Sequence, residues 1–240
     1  MTESLSSLQA DVAGQGGWKQ FNEERVTPIK KYALRNPSLI VGSVLLFGML
    51  FLVGLGHLVW ETEMFRPLSA PTRLGPTGAH PFGTDTQGRD LLAVAILGTP
   101  LTLRIGLIAG GVAIGLGTVA AFLAAYYRGV VDGAIRSVVD VGLAMPALLI
   151  LILVRINIGR ELSTDELGIA IGLTSWVFPA RTIRSQVLVM REQAYVELSR
   201  LSGTSGMGII FKEMMPNLIP YITASLVGSV AGAILASIGL

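Results

Sequence analysis

Apolar residues in this chain come in long runs separated by short polar stretches, and the runs are what set its architecture. The first run covers residues 39–59, with His57 near its end as the one strongly polar residue, and is followed by Trp60 at interface level. A helix of that length rises about 30 Å, the thickness of a bilayer core. A second run covers residues 101–127, with Arg104 near one end and Tyr126, Tyr127 and Arg128 at the other. Residues 138–154 form a third run containing Asp140 and Pro146, and the proline should kink or open that helix. Residues 167–179 form a fourth, which reaches the lower length limit for a span when counted to Ile183. Residues 219–240 form a fifth. The pattern predicts an all-α membrane protein with five transmembrane helices.

The stretches between the runs divide the chain. Residues 1–35 read as a cytoplasmic tail followed by a basic interfacial helix from Arg25. Residues 36–240 read as the transmembrane domain. Within it, residues 61–100 form a turn-rich extracytoplasmic segment punctuated by Pro67, Pro71, Pro76, Pro81 and Pro100, with a short helix expected inside 85–96. Residues 129–137 read as a charged turn and 155–166 as a polar connection. Residues 181–217 form a longer charged stretch with helical periodicity.

Composition agrees with a membrane chain: 51% of residues are hydrophobic and 14% charged, against roughly 25% charged in soluble domains. These figures exclude a disordered protein. The absence of cysteine excludes disulfides and thiolate chemistry, and two histidines, His57 and His80, do not make a histidine-rich metal centre. A net charge of +2 gives no reason to expect nucleic acid as a partner. With the N-terminus in the cytoplasm and five alternating spans, twelve of the 18 cationic residues fall on the cytoplasmic side and five outside, with Arg104 at the boundary. That asymmetry predicts an N-in topology.

Charged and small residues inside the runs call for partners. Asp140 is expected to pair with Arg136, one helical turn before it. Gly106/Gly110, Gly111/Gly115 and Gly228/Gly232 are spaced four apart and allow close helix contact. Asp85, Arg89 and Asp90 lack a nucleophile–base pair, so capping and local Arg–Asp pairing are expected of them rather than catalysis.

Residues 195–217 read as two short helical pieces around a flexible break at 203–208. Val196, Ser199, Leu201 and Ser202 are expected on a small-sided surface, and Ile209, Ile210, Met214 and Met215 on an apolar one. Pro216 is placed to begin the next membrane helix. Such an element on the cytoplasmic side suits docking of a soluble partner, and an amphipathic helix lying on lipid has the same periodicity.

This stretch resembles the EAA loop of binding-protein-dependent ABC transporter permeases. Glu197, Gly203 and Pro216 match that motif in spacing, while Leu198, Ser199, Glu213 and Met215 depart from it. A second block, Pro81-Phe-Gly-Thr-Asp-Thr-Gln-Gly-Arg-Asp90, resembles the FGTDxxGRD segment of the dipeptide and oligopeptide branch, in its C-type subunits. Gly83, Thr84, Asp85, Gly88, Arg89 and Asp90 all match. The similarity extends from about Lys31 to Leu240.

The resemblance implies a permease subunit that pairs with a second, homologous permease and with two cytoplasmic ATPase subunits. An extracytoplasmic binding protein would deliver a small solute, first of all a dipeptide or oligopeptide, across the prokaryotic inner membrane. Oligosaccharides and nickel are the alternatives within the family. The chain itself would not be catalytic and would need no cofactor, and it contains no phosphate-binding G-x-x-x-x-G-K-[ST] loop. A coupling helix at about 194–201, between the fourth and fifth spans, is expected to carry Tyr195, Glu197, Ser199 and Arg200. Gly203 would permit the reversal after it and Pro216 would fix entry to the fifth span. The family has six spans, so five imply a chain lacking its last one. A secondary transporter or a membrane scaffold are the readings outside the family.

Overall fold

A computed structural model describes residues 32, 34–59, 62–127 and 129–239. The expected cytoplasmic tail, nearly all of the interfacial helix, Trp60, Arg128 and Leu240 lie outside the described residues. Among those described, the regular elements are helices, and residues 66–90 form an irregular loop that carries one isolated bridge between Thr84 and Asp90. It falls into two units, Met1–Ile96 and Leu97–Leu240.

In the first unit α1 runs from Pro37 to Val59. The proline occupies the first helical turn, where a missing N–H costs nothing. Its side chains face outward nearly all round, as expected of a helix whose surroundings are as apolar as itself. A short 3₁₀ turn, Thr62–Phe65, leads into the loop. The second helix, α2, spans Leu91–Tyr127.

The short helix expected inside 85–96 is the beginning of α2, which runs on without a break and so corrects the reading of residues 97–100 as loop. Pro100 lies inside the helix rather than before it. Proline removes one backbone donor, but the apolar flank 91–97 buries Ala93, Ile96 and Leu97, and that packing holds the helix together. At 37 residues α2 is about 55 Å long, well beyond a hydrocarbon core.

In the second unit α3 spans Gly129–Ala144 and α4 spans Ala147–Ile158. They meet at an 82° bend. One expectation changes here: residues 129–137 are helix rather than a charged turn. The opening expected at Pro146 is present as a break between the two helices. The proline has no N–H to continue the ladder, and it takes an extended conformation as the N-cap of α4. Gly159, left-handed, closes α4.

The expected fourth span is divided at Trp176 into α5, Thr164–Ser175, and α6, Val177–Arg191. A short helix α7, Ala194–Leu201, follows. A helical turn Gly206–Gly208 and a π-helical segment Ile209–Met214 lead into α8, Met215–Ile238, with Pro216 in its first turn. Among the described residues three helices are able, by length and composition, to cross a membrane, or four if the bent pair α3–α4 counts as one. The expected five is therefore not reached by this measure. The chain is built as a multi-pass membrane protein.

Glycines set the helix packing of the second unit. Gly106 and Gly110 on α2 leave room for Val230 and Ile234 of α8. Gly168 and Gly172 on α5 lie against Ile108 and Val112 of α2, a pair the sequence did not single out. Gly111, Gly115, Gly228 and Gly232 border open space, so their spacing serves no helix contact here.

Candidate functional site

The segment from Gly83 to Asp90 is a self-bonded turn. Asp85 accepts backbone N–H bonds from Gln87 at 2.7 Å and Arg89 at 3.0 Å, and its other oxygen accepts from Arg89 Nε at 2.8 Å. The backbone bond from Arg89, followed by its side chain, holds the Asp85 carboxyl below the usual range. Thr84 Oγ1 donates to the Pro71 carbonyl at 2.6 Å and accepts from Leu74 N at 2.9 Å. Asp90 is fully buried. One of its oxygens caps α2 through Ala93 N at 2.8 Å and the other meets His80 Nδ1 at 2.8 Å. Gly83 and Gly88 are left-handed, and a Cβ at either would collide with the carbonyl of Leu74 or Ala70. These six residues thus hold one another and the adjoining loop, and the expected Arg–Asp pair is present between Arg89 and Asp85.

Farther along, Arg104 pairs with Asp165 at 2.7 Å. Near it Arg160 grips Glu166 through two bonds of 2.8 and 2.6 Å. Ser163 and Glu166 complete a reciprocal cap at the start of α5. The Arg160 bond, then the Ser163 N–H, lower the Glu166 carboxyl to about 2. From Arg104 to Tyr126, α2 rises about 33 Å, so this charged cluster and the next sit roughly one bilayer core apart.

At the far end of α2, Arg184 of α6 makes a bidentate pair with Asp132 of α3 at 2.7 and 2.6 Å. Asp140 lies 3.6 Å from Arg181. The expected Asp140–Arg136 pair is not formed. Packing of α3 against α6 through Val139, Val177 and Ala180 sets a cross-helix cation near Asp140 instead.

Helix α7 has the extent expected of the short helix at 194–201. Val196 is fully buried in a cluster with Ile183 and Val187 of α6, Phe122 of α2, and Ile209, Ile210, Met214 and Leu218. This corrects the expectation that Val196 and the apolar residues 209, 210 and 214 form outer surfaces. They face inward because the π segment turns back under α7. Tyr195 packs at the edge of the same cluster. Glu197, Leu198, Arg200 and Leu201 face outward, with Leu198 and Leu201 at 64% and 79% exposure. Among the described residues nothing bonds the Glu197 side chain. Ser199 Oγ donates to Glu213 Oε1 at 3.1 Å. Two residues that depart from the EAA pattern are therefore partners. Gly203, with φ of 80°, makes the reversal, and Gly203 N and Thr204 N return to the Arg200 and Ser199 carbonyls. A cavity of about 360 Å³ between this loop, α2 and α6 is lined by Arg191, Arg200 and Thr204. Among the described residues no cluster of His, Asp and Glu has the makeup of a metal site.

The second unit is thus a set of packed apolar helices with a short, outward-facing helix rooted in its core. The profile of the family described as binding-protein-dependent transport system inner membrane component matches residues 113–240, more than half of the chain, and the chain belongs to that family. It is 37% identical over 171 residues to a Brucella suis protein named as a peptide transport system permease, covering 70% of this chain and 56% of the relative. Identity to the dipeptide transport system permease protein DppC of Bacillus subtilis is 28% over 202 residues, 84% of this chain and 62% of that one. For the glutathione transport system permease protein GsiD of Pectobacterium atrosepticum it is 31% over 145 residues, 60% of this chain and 48% of that one. The chain thus spans about half to three fifths of the length of these relatives. Permease components of this family are transport proteins, not enzymes.

Proposed function

We propose that this chain is a transmembrane permease subunit of an ATP-driven importer for dipeptides or oligopeptides in a prokaryotic inner membrane. It forms the translocation path with a second, homologous permease. Two cytoplasmic ATPase subunits dock on α7, and an extracytoplasmic binding protein delivers the solute. The N-terminus lies in the cytoplasm, so α7 and the Asp132–Arg184 end of the bundle face the ATPases. The peptide-transport names of the relatives support the solute class.

The observation that carries this reading is the anchoring of α7. Its outer face presents Glu197, Leu198, Arg200 and Leu201, while Val196 is locked into the cluster joining α2, α6 and the start of α8. Tyr195 and the Ser199–Glu213 bond tie the helix to the same body. Gly203 and Pro216 fix the return of the chain into α8. A partner that moves α7 therefore moves the membrane helices with it, as a rigid element with two discrete positions.

The test is purification of the complex from native membranes on this chain, identification of every subunit, and ATP-dependent uptake of a labelled dipeptide by the reconstituted complex. Recovery of a second permease and nucleotide-binding subunits, with uptake, is expected. A complex without any nucleotide-binding subunit would overturn the proposal.

A further inference from the structure

Several hydroxyl side chains on α5, α6 and α8 bond back to their own helix, and a few do not. Thr174, Thr182, Thr223 and Ser237 each donate to a carbonyl of their own helix, at 2.9 Å to Ile171, 3.1 Å to Phe178, 2.8 Å to Ile219 and 2.7 Å to Ile234. Such back-bonding is how a hydroxyl in an apolar helix satisfies itself. Apart from Thr164 at the start of α5, the hydroxyls on these helices without a hydrogen bond among the described residues are Ser175, Tyr221, Ser225 and Ser229, and of these the three serines had back-bonding open to them.

These four are not scattered. All of them line one cavity of about 490 Å³ between α5, α6 and α8. Gly228 and Gly232 lie in the same wall, where an added Cβ would meet nothing within 4 Å. No acidic, basic or histidine side chain lines it. A hydroxyl facing hydrocarbon without a partner is penalised, and back-bonding is open to any serine on a helix. A wall that carries three serines and a tyrosine without hydrogen-bond partners, beside the back-bonded Thr182, offers free donors and acceptors to hydrogen-bonding matter.

We infer that this groove is the chain's own wall of the solute path, and that it takes solutes through uncharged hydrogen-bonding groups such as peptide amides rather than through a bound cation. The inference rests on the importer reading. Hydroxyls both donate and accept, so they serve N–H and C=O alike without fixing one sequence of side chains. Their weak, repeated contacts also let a solute leave as readily as it enters.

The chain has no cysteine, so single cysteines report without background from this subunit. Ser225→Cys and Ser229→Cys are compared with Val227→Cys and Leu235→Cys, whose parent residues are exposed on α8 but outside the groove. Each variant, in the assembled complex, is treated with a cationic methanethiosulfonate and labelling is read from the mass of this chain. Modification at 225 and 229 should be at least about tenfold faster, because the reactive thiolate forms in water. Gly228→Trp should abolish dipeptide uptake while the partner subunits still copurify. Equal rates at all four positions, in a complex whose unmodified form takes up dipeptide with ATP, would overturn the groove. A complex with no ATP-driven uptake at all would overturn the importer reading instead.

Discussion

His80 Nδ1 lies 2.8 Å from Oδ2 of Asp90, a carboxylate with no exposed surface whose other oxygen caps the first turn of α2. One buried side chain thus holds both the loop and the start of the longest helix. Asp90→Ala removes a cap worth about 1 kcal/mol and leaves the His80 nitrogen without its partner, for a total of about 2–3 kcal/mol. Asp90→Asn keeps an oxygen for the cap and should lose less than half as much. Thermal unfolding of the full chain in detergent measures both.

Gly83→Ala should be strongly destabilising, because the left-handed backbone and the Leu74 carbonyl both exclude a Cβ. Gly111→Ala is the contrast. That residue sits inside α2 with open space around it, so alanine should raise stability by up to about 1 kcal/mol through helix propensity. Opposite signs in the two melting temperatures are the expected result.

Asp132→Ala and Arg184→Ala should each lower stability by about 2 kcal/mol, less than a fully buried pair because both side chains keep about a fifth of their exposure. The double variant should lose little more than either single one. A double-mutant cycle with a coupling energy near zero would mean that α3 and α6 are held by their apolar contact alone.

On the proposed function, Glu197→Lys should weaken copurification of ATPase subunits and ATP-driven uptake while membrane insertion stays normal, because the residue is exposed and its side chain bonds nothing among the described residues. Val196→Asp at the next position should instead disrupt the folded loop, since that side chain is fully buried. Normal copurification and uptake by the Glu197 variant would remove it from the coupling role.

Glu166 gives a pH prediction. Arg160, and then Ser163, lower its carboxyl from 4.5 to about 2 in the folded chain. A depressed carboxylate contributes stability that is present above the unfolded value and lost as pH falls toward the folded one. The stability difference between the wild type and Glu166→Gln should therefore be full at neutral pH and shrink between about pH 4.5 and 2. Melting temperatures of the two proteins across that range should converge.

Much of the site was legible because it depends on local rules. The extent of α7, the reversal at Gly203, the start of α8 near Pro216 and the Arg89–Asp85 pair all follow from residues close in sequence. The inward turn of Val196, Ile209, Ile210 and Met214 was not legible. An amphipathic segment has one apolar face, but periodicity does not say whether that face meets lipid, a partner or its own protein.

The sequence by itself determined that this is a helical membrane chain, that α1 and α8 are apolar enough to span, and which short helix stands between membrane segments. Length and hydrophobicity decide those matters, and both are local. Only the tertiary structure decided that α2 runs through Pro100, that Pro146 turns the chain by 82°, and that Asp140 faces Arg181. It also decided that Ser199 meets Glu213 and that four serine and tyrosine hydroxyls share one groove. Each of these depends on which helix packs against which. That choice is made by small residues and buried contacts far apart in sequence, such as Gly168 and Gly172 against α2.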